Sequence, residues 1–112
     1  MLEPAQKLFK IFADKNRLRM LVLLQQRKMC VCEFAFVLGV SQPSISRHLK
    51  KMKDAGLIAD EQDGLWTNYF LRDSAITHDV LGLIRTLIKE DKVIRADSER
   101  LKRSDRTKLC CR

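Results

Sequence analysis

The stretch MCVCEFAFVLGVSQPSISRHLKKMK, Met29 to Lys53, decides the fold, because it reads as two short helices around a tight turn. A helix from about Cys32 to Leu38 is stopped by Gly39, a residue that accepts the left-handed backbone of a helix C-terminus. Ser41 then caps a further helix, with Pro43 tolerated in its first turn, running to near Gly56. The joint Gly39-Val40 between two such helices fits a helix-turn-helix. In the later helix Ile45, Leu49 and Met52 recur at i, i+4 and i+7 and are expected to pack inward. Ser44, Arg47 and Lys51 lie opposite, flanked by Ser46 and Lys50.

Working outward, Ala5, Leu8, Phe9 and Phe12 keep helical spacing over residues 4–13, with Pro4 near the start. Asp14 is placed to cap a second helix, carrying Leu18, Leu21, Val22 and Leu24 as far as Gln26. Beyond Gly56 the period changes. Leu57 to Gln62 and Leu65 to Leu71 read as strands joined by Asp63-Gly64, a strong hairpin signal. After Asp73, Ile76, Val80, Leu83, Ile84, Leu87 and Ile88 restore the helical period. Past Lys89 the chain is highly charged, ending in a basic stretch, Arg100 to Arg112, that contains Cys110 and Cys111. The order is that of a winged helix-turn-helix: mainly α with a small β-hairpin. The expected division is a DNA-binding and dimerisation domain over residues 1–95 and a basic, cysteine-containing tail over 96–112.

The chain has 112 residues, 46% hydrophobic and 32% charged, a composition that suits one folded domain. No apolar run is long enough to span a membrane and the first residues lack a signal-peptide layout, so a cytoplasmic protein is expected. The formal charge of +8, from 22 Lys plus Arg against 14 Asp plus Glu, favours a polyanionic partner. Four cysteines without an export signal point to ligands or reactive thiols rather than a disulfide framework.

The helix opened by Ser41 has the chemistry of a major-groove reader. Gln42 can pair with adenine and Arg47 with guanine or phosphate, while the hydroxyls of Ser41, Ser44 and Ser46 serve base edges or phosphates. Lys50 and Lys51 add charge for the DNA backbone. His48, beside the apolar stripe, suits a phosphate contact and a partly buried structural role equally. The hairpin tip is acidic, so wing contacts are expected only from Gln62, Thr67 or Asn68, with Trp66, Tyr69 and Phe70 as packing residues. Just upstream, Cys30 and Cys32 are soft ligands. Residues i and i+2 of a helix lie about 200° apart, so both can reach one ion only if the helix start is non-helical or unwinds. As small buried apolar residues they would need no ligand.

Met29 to Phe34 together with Val40 to Leu49 resembles the arsenical-resistance repressor (ArsR) family, and the resemblance extends over roughly Leu8 to Leu87. It implies a homodimeric winged helix repressor that binds double-stranded operator DNA when apo, without a cofactor, and dissociates on binding trivalent arsenic or antimony. It carries sensing onto Cys30 and Cys32, and DNA reading onto the helix with Gln42, Ser44, Ser46 and Arg47. The arsenic-sensing pattern has a third cysteine where this chain has Ala35. Cys110 and Cys111, from the tail of the same or a second subunit, are candidates to complete the set, or form a separate site, or a small thiol or water serves. Cadmium or lead is an alternative inducer, and a thiol-based redox sensor an alternative function. Neither histidine has the context of a base for a cysteine nucleophile, and no enzyme is expected. Dimerisation is expected through the first and last helices, at Leu8, Phe12, Val80, Ile84 and Leu87.

Overall fold

The computed structural model describes residues 1–109. Helices α1 (Leu2–Phe12) and α2 (Lys15–Leu24) are separated by Asp14, which caps α2 by accepting the Arg17 backbone N–H at 3.0 Å. Helix α3 (Val31–Leu38) ends at Gly39, whose φ of 69° supplies the left-handed cap, and packs on α4 (Gln42–Asp54). Ser41 caps α4 from the extended region, its hydroxyl accepting the Ser44 N–H at 3.3 Å. The helix-turn-helix is therefore where its sequence signals place it.

Strands β1 (Ile58–Asp63) and β2 (Trp66–Leu71) pair antiparallel, Ile58 opposite Leu71 and Asp63 opposite Trp66. The turn falls on Gly64-Leu65, one residue later than expected. Asp63 stays in register, and Gly64, at φ 60°, takes the first central position, where a type II′ hairpin turn favours glycine. A fragment of strand joins this wing: Met29 exchanges backbone hydrogen bonds with Tyr69, at 3.1 and 2.8 Å. Met20, Leu21, Met29, Phe34, Ile45, Met52 and Ile58 are fully enclosed where α2, α3, α4 and the wing meet. The expected inward row of α4 is thus the centre of the core.

Helix α5 (Ala75–Ile88) is followed by α6 (Lys92–Arg103) and a turn of helix, α7 (Arg106–Leu109). The residue-95 boundary falls inside α6, so residues 96–103 belong to the packed body rather than to a tail. Ile94, Asp97 and Leu101, at i, i+3 and i+7, form its inner face against α2 and α3. The carboxylate in that row is matched by Arg19 of α2, whose Nε and Nη2 each donate to Asp97 at 2.9 Å. Arg100 donates from Nε to the Val37 carbonyl at 2.9 Å and from Nη2 to the Phe36 carbonyl. Its guanidinium also lies 4.8 Å from the Phe36 ring centroid, so α6 caps the C-terminus of α3.

Burial divides the expected dimer residues. Ile84 is a core residue of its own subunit, and Leu8, Phe12 and Val80 are half-buried against that core. Of the expected set only Leu87 is open, at 72% exposure, and Phe9 and Leu83 are exposed on the same two helices. The helix that carries Val80, Ile84 and Leu87 is α5, and α6 beyond it packs against α2 and α3.

Because Asp97 is 2% exposed, removing it leaves Arg19 facing a buried gap without its counter-charge. Asp97→Ala is expected to lower the unfolding free energy by about 3 kcal/mol in urea titration. A loss within the range of an ordinary surface substitution, about 0.5 kcal/mol, would show that α6 contributes little to the fold.

Candidate nucleic-acid interface and thiolate site

The outer face of α4 presents Ser41, Gln42, Ser46, Arg47, Lys50 and Lys51 to solvent, with Ser44 half-buried. Arg47 Nη2 donates to Ser44 Oγ at 2.9 Å, and Lys50 lies 3.6 Å from Asp54 one turn on. The exposed Lys50–Asp54 ion pair and the exposed Arg47–Ser44 hydrogen bond are both weak, so both cations can turn to phosphate at little cost. In the first turn of α4 the Ser44 N–H is taken by the Ser41 cap and Pro43 has none, which leaves the Gln42 backbone N–H at that end for phosphate.

His48 behaves differently from its neighbours. Its Nδ1 is 3.2 Å from Arg17 Nη1, while Arg17 Nε donates to the Ile11 carbonyl at 2.9 Å. Guanidinium is only a donor, so Nδ1 must accept and the ring carries its proton on Nε2. Arg17 and His48 thereby tie the end of α1 to the middle of α4. Burial is the main cause that pushes the His48 pKa below its ordinary value of 6.5, reinforced by Arg17, Lys51 and Arg47 and opposed by Asp14.

The wing residues singled out by sequence are turned to the hairpin itself. Thr67 Oγ1 donates to Gln62 Oε1 at 3.0 Å, Gln62 Nε2 to the Gly64 carbonyl at 3.2 Å, and Asn68 is buried, donating to Asp63 at 3.3 Å.

The cysteines flank the start of α3. Cys30 is 3% exposed and extended, at φ −97° and ψ 170°, because Met29 before it is paired with Tyr69. It occupies the N-cap position, where serine or threonine is usual, and the rest of a capping box is present. Glu33, 1% exposed, accepts the Cys30 backbone N–H at 3.1 Å and pairs with Arg27 at 2.7 Å. Cys32 lies within the first turn of α3 and is half-buried. Because Cys30 stands outside the helix in extended backbone, the helical 200° separation does not apply to the pair. Gln42 Nε2, at the start of α4, donates to Cys32 Sγ at 3.6 Å. Ala35 sits one turn further along α3. Among the described residues no group of three or more His, Cys, Asp or Glu could hold a metal ion. Cys110 and Cys111 lie outside the described residues.

Arg17, Arg27, Glu33 and Arg100 were not singled out from sequence. Only Glu33 carried a local signal, the acidic residue three positions after an N-cap.

The profile described as "Bacterial regulatory protein, arsR family" matches residues 14–60, from the cap of α2 into β1. The chain is 33% identical over 110 residues to the "Arsenic resistance transcriptional regulator ArsR2" of Pseudomonas putida, covering 92% of this chain and 94% of that protein. It belongs to the arsR family. The "Arsenical resistance operon repressor" of Escherichia coli K12 is 44% identical over 66 residues, 58% of this chain, and the match spans only 56% of that relative. HlyU from Vibrio cholerae superimposes with a TM-score of 0.71 at 26% identity, over 79% of this chain and 95% of that one. The family is one of DNA-binding transcriptional regulators rather than enzymes. No helix among the described residues is long and apolar enough to cross a membrane.

A depressed His48 pKa has a defined consequence for stability. Between the folded pKa and the unfolded value of 6.5 the unfolded chain holds more protons, so stability rises with pH across that window. The contribution is complete above 6.5 and is lost as pH falls toward the folded pKa. Urea unfolding between about pH 7 and pH 5 is expected to show this decline in wild type and a flatter profile in His48→Gln. Identical slopes would contradict the neutral Arg17–His48 contact.

Proposed function

We propose that this protein is a metalloid-responsive transcriptional repressor, a homodimer that holds double-stranded operator DNA when apo and releases it when trivalent arsenic or antimony binds its thiols. The observation that carries the reading is the juxtaposition at the helix-turn-helix. Cys30 leaves the helix in extended backbone, Cys32 follows on the first turn, and the Cys32 sulfur touches the first residue of the DNA-reading helix. The relatives named for arsenical or arsenic resistance, at 44% and 33% identity, support the same inducer class. DNA contacts are assigned to Ser41, Gln42, Ser44, Ser46, Arg47, Lys50 and Lys51, with His48 holding α4 in place from behind.

Two thiolates leave trivalent arsenic one sulfur short, and the path of the chain suggests the source of the third. Arg100 binds the last turn of α3, whereas Ser104 Oγ accepts from Arg27, the partner of Glu33 in its first turn. The end of α6 therefore travels toward the start of α3, and α7 packs on α3 as well. Cys110 and Cys111 follow α7 directly in sequence, and we assign one of them, from the same subunit, as the third ligand. All four sulfurs together would suit cadmium or lead instead.

Exposed Phe9, Leu83 and Leu87 give α1 and α5 the apolar surface for a two-fold partner, whose symmetry matches a palindromic operator. Leu87→Glu is expected to shift the protein to monomer in sedimentation, and an unchanged dimer would remove this face from the interface.

With reductant present, arsenite is expected to weaken operator binding at least about tenfold in wild type, the size of an ordinary allosteric coupling. Cys30→Ser or Cys32→Ser should abolish the response, and Cys110→Ser/Cys111→Ser should blunt it. Unchanged operator affinity in arsenite would refute the proposal. A response to cadmium or lead alone would reassign the inducer.

A further inference from the structure

We infer that Gln42 is the positioning residue linking the thiol site to DNA reading: Cys32 Sγ, by accepting its amide N–H, holds the Gln42 side chain in the orientation that engages DNA. The role in DNA binding stands independently of the inducer, and the role in release rests on the proposed sensing function.

Gln42 is exposed at the first position of α4, immediately after the Ser41 cap. An exposed glutamine there has several rotatable bonds, and fixing them on DNA opposes binding unless something orders them beforehand. The 3.6 Å contact with Cys32 is such a restraint. It also leaves the right chemistry unused. A carboxamide has two N–H donors and an acceptor oxygen. One donor goes to sulfur, and the remaining N–H and oxygen are the pair that matches N7 and the N6 amino group of adenine.

The two cysteines differ in freedom to move. Cys30 is buried, with Met29 paired to Tyr69 and its own N–H held by Glu33. Cys32 is half-buried on a first helical turn, where the backbone N–H groups have no partners within the helix. When arsenous acid binds, each thiol exchanges for one hydroxyl: an S–As bond forms, an As–OH bond breaks, and the thiol proton leaves in the water released, with no change of oxidation state. Gathering both sulfurs on one arsenic draws Cys32 toward the fixed Cys30. The same step puts arsenic in place of the thiol hydrogen and carries the sulfur away from Gln42, whose contact with it is already long at 3.6 Å. Gln42 loses its acceptor, and its ordering, through one hydrogen bond rather than a long relay.

The test is a double-mutant cycle on operator affinity without metalloid, under reductant and at low salt, where phosphate contacts keep every variant measurable. Cys32→Ser, whose hydroxyl can still accept, should bind more tightly than Cys32→Ala. Cys32→Ala should bind about three- to tenfold more weakly, the range expected for one side chain left unordered. In a Gln42→Ala background, Cys32→Ala should add nothing. Equal binding by wild type and Cys32→Ala, or an equal loss from Cys32→Ala in both backgrounds, would overturn the inference. In a second arm, Gln42→Ala should bind arsenite as wild type does, by its thiolate-to-arsenic absorption, yet show a smaller arsenite-induced fold-loss of operator affinity. A full fold-loss would overturn the relay. A wild type that ignores arsenite while the cycle holds would instead refute the proposed inducer and leave the DNA-binding role intact.

Discussion

Glu33 carries a carboxylate that is 1% exposed, and the start of α3 is arranged around satisfying it. One oxygen accepts the Cys30 N–H at 3.1 Å and the other meets Arg27 at 2.7 Å. A buried carboxylate without these partners would be strongly destabilising, so the pairings fix where α3 begins. That start leaves Cys30 outside the helix and Cys32 inside it, and eight residues of helix later comes the turn at Gly39 that aims α4. Arg27 also donates to Ser104 at 2.8 Å, which brings the end of α6 to the same corner. The thiol pair, the DNA-reading helix and the approach of the C-terminal segment are consequences of one buried charge and its two partners.

The parts of this arrangement legible in sequence are those specified by neighbours. Gly39, Ser41 and the Ile45, Leu49 and Met52 row each express a local rule, and each element stands where expected. The hairpin was legible apart from a one-residue shift of its turn. What escaped was specified at long range. Helix α6 looked like a charged tail because Asp97 interrupts its apolar row, and the neutralising Arg19 lies 78 residues away. Burial splits the expected dimer row, because periodicity cannot tell a core stripe from an interface stripe on one helix. Ile84 turned inward and Leu83 outward. At the site, Cys30 and Cys32 were legible as a pair, but the extended Cys30 backbone depends on Met29 pairing with Tyr69 across the wing.

His48 and Gln42 show how one helix can be held on two sides. His48 faces inward to Arg17 and so to α1, whereas Gln42 faces Cys32. The rest of the exposed face, Arg47, Lys50 and Lys51, is assigned to phosphate in the proposal, a contact that would position the helix without reading sequence. On this division of labour, an inducer at the cysteines need not displace α4 bodily. Under the proposal it acts first on Gln42, and phosphate contacts are left to hold a complex of reduced affinity and specificity.

The central claim is that Cys30 and Cys32 share one metalloid, with a cysteine from the C-terminal segment completing the set. X-ray absorption at the arsenic edge of the arsenite-loaded protein counts its nearest neighbours directly. The account predicts a shell of three sulfurs in wild type, reduced to two sulfurs and an oxygen when Cys32 alone is replaced. A three-sulfur shell that persists without Cys32 would show that Cys32 is not a ligand and contradict the account.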